Sequence, residues 1–201
     1  YKTVHKTVRY YLGAGPKAPH PPHIKKNGDE VRGFKESFPV KVSETVKNND
    51  LPVKIFSYDG TRPGLITSPG KRITLPGVSP VGTIQRTSQN YYIYGAAEVS
   101  CGESFFPELP FMNTDCFRCF PDGFSETFSD SMNVFIIDNA GIHKAKRLII
   151  PENIRLIFLP PYSPELNPAG RFWQYIKKDI KGEIFSDLAE MKDYTNSLLY
   201  F

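Results

Sequence analysis

Two aspartates stand where short apolar runs end. Asp59 follows Ile55-Phe56-Ser57-Tyr58, and Asp138 follows Val134-Phe135-Ile136-Ile137. In open α/β sheets the carboxyl ends of the strands are where ligands bind. Two carboxylates converging there repel one another, and a divalent cation held by their hard oxygens relieves the repulsion. Two such ions, about 3.5–4 Å apart, activate a water or a 3′-hydroxyl and stabilise the leaving oxygen of a phosphodiester. The plainer reading gives each acid to a turn, Asp138-Asn139 as an Asx-turn and Asp59-Gly60 as a simple one. Spacing alone leaves both readings open.

A third position is conspicuous for what it lacks. In "LPPYSPELNPAGRFWQYIKK", residues 159–178, a strand meets two prolines, a polar turn and a helix with an aromatic face. Asn167 is a good N-cap and Pro168 suits the first helical position, which puts Gly170 at the third. An acid there would complement the helix dipole and face the ends of the neighbouring strands. Glycine does neither and costs roughly 0.5–1 kcal/mol against alanine in a helix.

The elements that must hold these residues are legible in outline. Residues 28–49 carry Val31, Phe34, Phe38, Val42 and Val46 at helical spacing, with Pro39 expected to break or kink the middle. Strands are expected at 53–58, at Arg72-Ile73-Thr74-Leu75, in "NYYIYGAAEVS" and in "ESFFPELPF". A helix over Asn113–Phe128 is weakened by Pro121-Asp122-Gly123, and a basic helical stretch is expected from His143 to Leu148. The runs Val134–Ile137 and Leu156–Leu159 suit central strands covered on both faces. The order gives an α/β layout, an antiparallel portion feeding a parallel one.

Charge is unevenly placed. The chain of 201 residues has a net charge of +4, yet residues 1–28 contain Lys2, Lys6, Arg9, Lys17, Lys25 and Lys26 and no acid. Lys2, Lys6 and Arg9 form one stripe of a helical arm that Gly13 and Gly15 end, before the prolines at 16, 19, 21 and 22 make an extended linker. Such an arm suits a polyanion, or is simply solvated. Hydrophobic residues make up 40% and charged ones 23%, which excludes a disordered chain. No apolar run approaches the ~18–20 residues of a membrane span, and no signal peptide is visible, so no membrane partner and a cytoplasmic, nucleoid-associated location are expected. Cys116-Phe117-Arg118-Cys119 has CxxC spacing but no second pair, and reads as helix packing rather than a metal site.

The stretch "DNAGIHKAKRLIIPENIRLIFLPPYSPELNPAGRFWQYIKKDI" closely resembles the catalytic half of DDE transposases of the mariner-like superfamily, in its bacterial insertion-sequence branch. The likeness is dense from Asp138 to about Ile180 and looser back to Asp59, through "GKRITLPG" and "YYIYGAAEVS". It implies an RNase H-like mixed sheet flanked by helices, with a basic amino-terminal arm. It also implies cleavage and transfer of DNA strands with two Mg²⁺ ions, or Mn²⁺ in their place. By motif position Asp59 and Asp138 are the metal-binding aspartates, and the third acid falls at Gly170. Glu165 belongs to the family's turn and is no evident replacement.

Residues 1–27 then correspond to the remainder of a helix-turn-helix DNA-binding region and its linker, and 28–201 to a carboxyl-terminally shortened catalytic domain. Further departures are Gly60 and Pro63, where the family usually has an acid and an aromatic. Together they describe a truncated, degenerate copy. Double-stranded DNA, as element ends and target, is the expected partner, with a homodimer as a second. Lys2, Lys6, Arg9, His143, Arg171, Lys177 and Lys178 are the candidate DNA contacts; Lys181 joins the last three as a candidate phosphate contact, although an exposed basic helix face accounts equally well for all four. His143 alternatively organises the site. Phe172 and Trp173 are expected in the core. The expected function is transposase-type strand cleavage and transfer, impaired by Gly170; the alternative is an inactive DNA-binding or dimerisation remnant.

Overall fold

The computed structural model describes residues 25–66, 85–98, 100–145 and 147–200, with positions 77, 79 and 81. The basic arm with Lys2, Lys6 and Arg9, and the strand expected at Arg72–Leu75, lie outside the described residues.

Two apolar runs form the centre of the sheet. Strand β1 (Val53–Thr61) pairs in parallel with a later strand, Met132–Ile137, whose every residue is buried. They are neighbours in the sheet although five strands lie between them in sequence: the chain first makes a small hairpin, β2 (Gly64–Ile66) with β3 (Arg86–Asn90), and then β4 (Tyr92–Glu98), β5 (Ser104–Phe105) and β6 (Glu108–Leu109). Strand β4 lies antiparallel on the other side of β1, and β5 and β6 both pair with β4. The buried strand Met132–Ile137 is β7, and β8 (Ile154–Phe158) runs parallel to it. The order β5-β4-β1-β7-β8 is therefore antiparallel on one side and parallel on the other, as the apolar pattern implied.

Alternation along the strands sends successive side chains to opposite faces. Phe56, Tyr58, Phe135 and Ile137 meet Phe117, Phe120, Phe124 and Phe128 from one helix, α2 (Thr114–Thr127), and its cap. Val134, Ile136, Ile157 and Leu159 meet Phe34, Phe38, Val42 and Val46 from α1 (Gly28–Thr45) and the turn after it. On that second face α3 (Pro168–Ile180) and α4 (Leu188–Leu199) pack through Trp173, Ile176, Met191 and Leu199.

Three local expectations need correction. Helix α1 runs through Pro39 and α2 through Pro121 and Gly123, both without a break. Each proline removes one N–H, but the apolar stripe on the buried face outweighs that local cost. In α2 the stripe is almost wholly aromatic, with Phe124 against Phe56, Phe128 and Phe135 at 4.6–4.8 Å between ring centroids. The basic helix from His143 to Leu148 does not form among its described residues; Gly141–His143 makes a single 3₁₀ turn, and beyond it the Leu148 N–H donates to the Ala145 carbonyl. Leu148 packs inward while Ile149 is exposed, too few anchors for so short a helix. Because Pro39 is exposed, Pro39→Ala gives up no buried contact and restores a backbone donor. It is expected to raise stability by about 1–2 kcal/mol in urea unfolding.

No helix among the described residues is long and apolar enough to cross a membrane.

Candidate active site

Asp59 does not end its strand. Parallel pairing of β1 with β7 is last seen at Ser57↔Ile136, whereas pairing with β4 continues through Asp59↔Gly95 to Thr61↔Ile93. The aspartate thus sits where β1 has lost one neighbour and kept the other. This excludes the simple turn at Asp59-Gly60. Asp138 follows β7 directly, and there the turn reading holds, since its Oδ1 accepts the Ala140 N–H at 3.0 Å. By strand alternation Ser57 and Asp59 face α3, as does Asp138 after Val134 and Ile136.

Helix α3 is tied to this point of β1 by a buried clip. Asn167 caps the helix by accepting the Ala169 N–H, and its amide donates to the Tyr58 carbonyl at 2.9 Å. Its Oδ1 also accepts the Ser57 hydroxyl, whose oxygen accepts the Ala169 N–H at 3.0 Å. Two turns on, Trp173 lies over β4 at Gly95, the residue paired with Asp59. A Cβ on Gly95 would stand 2.4 Å from the Trp173 ring, so only glycine lets the indole this close. Neither the clip nor Gly95 was found from sequence; Ser57 and Asn167 are 110 residues apart, and nothing local links them.

Gly170 is the third helical residue, as its spacing predicted. A Cβ there would be 3.9 Å from Asp59 Oδ2 and 4.0 Å from the Pro164 carbonyl, both ordinary contacts. Asp59, Asp138 and Gly170 line one cavity of about 660 Å³ with Asn139, Lys144, Tyr162 and Asn167. Tyr162 was also missed. It is half exposed at the pocket with φ 56°, a left-handed conformation costing a non-glycine residue roughly 1–2 kcal/mol. Glu165 does not line the pocket and pairs with Lys26 instead.

The other predicted residues disperse. His143 is 6% exposed, edge-on to Phe117 and Tyr58, with Nε2 3.3 Å from Asp138 Oδ1. Its ring is buried beside the Asp138 carboxylate. Arg171, Lys177 and Lys178 are exposed on α3. Phe172 stacks on Phe106 and Trp173 is core, as expected. Cys116 and Cys119 are free thiols on α2.

Electrostatics mark Asp59 as the strained member. Burial, with the charge of Asp138, raises its pKa to about 6, against the opposing Gly60 N–H and Lys177. Burial lowers His143 to about 4 against the pull of Asp138. A raised carboxylate makes the folded state hold more protons, so its contribution falls as pH rises from about 4 to 6. A lowered histidine does the reverse, contributing fully above about 6.5 and losing it towards about 4. The two slopes oppose each other in metal-free solution. Asp59→Asn is therefore expected to be more stable than the parent by about 1–2 kcal/mol near neutrality, and to lose stability more steeply on acidification. Urea unfolding in EDTA between about pH 4.5 and 7.5 measures both, and equal stability near neutrality would contradict the burial cost.

The donor set fits a divalent cation in part. Two carboxylates open onto one pocket, the charge of Asp138 raising the pKa of Asp59, and hard oxygens suit Mg²⁺ or Mn²⁺. Among the described residues, however, no group of three His, Cys, Asp or Glu side chains is arranged to hold a metal. The space for a third ligand is beside Gly170.

The family described as DDE superfamily endonuclease matches residues 54–192. An uncharacterized protein of Sinorhizobium fredii is 36% identical over 98 residues, 48% of this chain and 73% of that protein. Among solved structures, the Mos1 transposase paired-end complex with left transposon end aligns with a TM-score of 0.68 at 14% identity, over 98% of this chain and 62% of that one. The Mos1 mariner paired-end complex with Mn gives 0.68 at 15%, with the same coverage. The catalytic domain of Mos1 mariner transposase gives 0.57 at 12%, over 89% of this chain and 84% of that one. The fold is thus the RNase H-like one of that catalytic domain, and the chain spans about 62% of the length of the longer Mos1 chains.

Proposed function

This chain belongs to the DDE superfamily of endonucleases, and from that premise we propose that it is a transposase-type enzyme whose strand cleavage and strand transfer on DNA are impaired by glycine at position 170. Residues 28–201 are its catalytic domain and the basic segment at 1–27 serves DNA recognition. The single observation that carries the reading is the shared pocket. Asp59 in β1, Asp138 just after β7 and Gly170 in α3 line one cavity, with room for a Cβ at the glycine.

Asp59 and Asp138 are the residues that would hold Mg²⁺ or Mn²⁺. When bound, such ions supply activation of the nucleophile and stabilisation of the leaving 3′-oxygen. The chain's own groups do the positioning. The Gly60 N–H holds Asp59 Oδ1 at 2.8 Å, while the Ala140 N–H and His143 Nε2 hold Asp138. The Asn167 clip fixes α3, and so position 170, against Asp59. Double-stranded DNA is the substrate, as the Mos1 complex with a transposon end supports.

Removing groups that merely support metal ligands costs ~10–100-fold, so a missing ligand costs more. Plasmid nicking in Mg²⁺ and Mn²⁺ tests this: the unaltered chain is expected to nick little or not at all. Efficient metal-dependent nicking would overturn the impairment.

A further inference from the structure

A second cleft opens beside the aspartate pocket, between the β2–β3 hairpin and helices α3 and α4. It measures about 410 Å³ and is lined by Arg62, Gln89, Asn90, Lys177 and Lys181 over a floor that includes Ile180 and Met191. No carboxylate lines it; Glu183 lines only a small adjoining cavity that shares Gly64 and Ile66. Arg62, Lys177 and Lys181 are exposed, and none of them makes a salt bridge among the described residues. By contrast Lys26, Lys54, Arg147 and Lys192 are each paired with an acid. Three cations without a salt bridge among the described residues thus share one cleft, and their common charge favours an anion there.

The cations are strung out rather than convergent. Lys177 and Lys181 come seven and eleven residues after Gly170, which on a helix is about 10 and 16 Å along the axis and within about 20° of the same direction. A single small phosphate would need them gathered round one point. A DNA strand carries its charges in a row, so a line of cations of this length suits several successive phosphates better than one isolated anion. Ser88, Gln89 and Asn90 add neutral side chains of the kind that bond phosphate oxygens. Lys177 also lies close enough to Asp59 to draw its pKa down, which joins the cleft to the pocket.

We propose that the Arg62–Lys177–Lys181 cleft binds the phosphodiester backbone of the DNA strand leading out of the Asp59–Asp138 pocket. This rests on the endonuclease reading of that pocket and gives its substrate a direction, along α3 towards the β2–β3 hairpin. Of the cations singled out by sequence on or just after α3, Lys177 and Lys181 belong to the cleft; Arg62 is new, and Arg171 and Lys178 lie outside it.

The test is fluorescence anisotropy of a labelled 30-base-pair duplex over a range of salt, with the full chain. Arg62→Gln, Lys177→Gln and Lys181→Gln combined are expected to weaken binding at least about 10-fold near 0.1 M salt. The slope of log affinity against log salt is expected to shrink by about 2–3. A control losing equal charge on α1 and its following turn, Arg32→Gln with Lys35→Gln and Lys47→Gln, is expected to bind like the parent. Lys181→Gln alone, in case the triple variant folds poorly, is expected to lower the slope by about 1. Equal weakening by the control and the cleft variant would overturn the cleft while leaving DNA binding intact. Polyglutamate competing as well as unlabelled duplex would also overturn it, in favour of an acidic protein partner. No binding of duplex by the parent would overturn the endonuclease reading itself.

Discussion

Gly170→Glu is expected to raise metal-dependent nicking of plasmid DNA at least about 100-fold over the unaltered chain. Position 170 admits the side chain: its Cβ meets only Asp59 Oδ2 at 3.9 Å and the Pro164 carbonyl at 4.0 Å, with no steric shift required. The backbone favours it as well. Replacing a helical glycine recovers roughly 0.5–1 kcal/mol, and an acid in the first turn gains about 0.3–1 kcal/mol from the helix dipole. Opposed to these is a third negative charge beside Asp59, whose ionisation is already penalised by burial and by Asp138. Without metal the gains and the repulsion offset each other, and stability is expected to change little. With metal the repulsion becomes attraction for the ion. Gly170→Gln separates the effects, since it shares the shape and the helix gain but carries no charge. It is expected to nick no better than the parent, and equal activation by Gln and Glu would show that the helix, not a ligand, had been repaired.

The second large effect concerns the clip. Asn167→Ala is expected to destabilise the fold by roughly 3–4 kcal/mol. The lost cap accounts for about 1 kcal/mol. The rest comes from a Ser57 hydroxyl and a Tyr58 carbonyl left buried without their partner, each near the low end of about 1–3 kcal/mol because Ser57 Oγ keeps the Ala169 N–H. For a domain of this size the drop in Tm is about 10 °C. Asn167→Asp discriminates between a surface cap and a buried clip. On an exposed helix the two residues cap equally well. Here Asn167 is 6% exposed, its amide donates to the Tyr58 carbonyl, and Asp59 follows immediately. An aspartate would set a buried charge against a carbonyl and beside a second carboxylate, so it is expected to cost at least as much as alanine. Parent-like stability of Asn167→Asp would contradict the clip.

What was legible in the sequence was whatever depends on local pattern. The apolar runs before Asp59 and Asp138 gave the central parallel strands, and Asn167-Pro168 placed the helix start and Gly170 correctly. Where local rules and packing disagreed, packing prevailed. Pro39 and Pro121 read as breaks but sit inside continuous helices, because the apolar stripe each helix buries is worth more than one lost hydrogen bond. Asp59 read as a strand end because apolar residues stop there. The strand continues to Thr61 because β4 still pairs with it after β7 has turned away. For His143 the sequence left a phosphate contact, an organiser of the site and a plain helix-start residue open; only the fold shows it buried against Phe117 and Tyr58, beside Asp138. The Ser57–Asn167 clip, the Trp173–Gly95 contact and the Arg62–Lys181 cleft each join segments far apart in the chain, and no period or motif encodes such a meeting.

The pocket as a metal site lacking its third ligand is tested most directly by thermal melts of the parent and of Gly170→Glu, each with EDTA and with Mn²⁺. A ligand present at about 100 times its Kd adds about 2.7 kcal/mol to the state that binds it. At this chain length that is a rise in Tm of about 5–10 °C. The predicted result is that both chains melt cooperatively and only Gly170→Glu gains this rise from Mn²⁺. Cooperative melting of both with no response of either to metal would contradict the assignment of Asp59 and Asp138 as metal ligands.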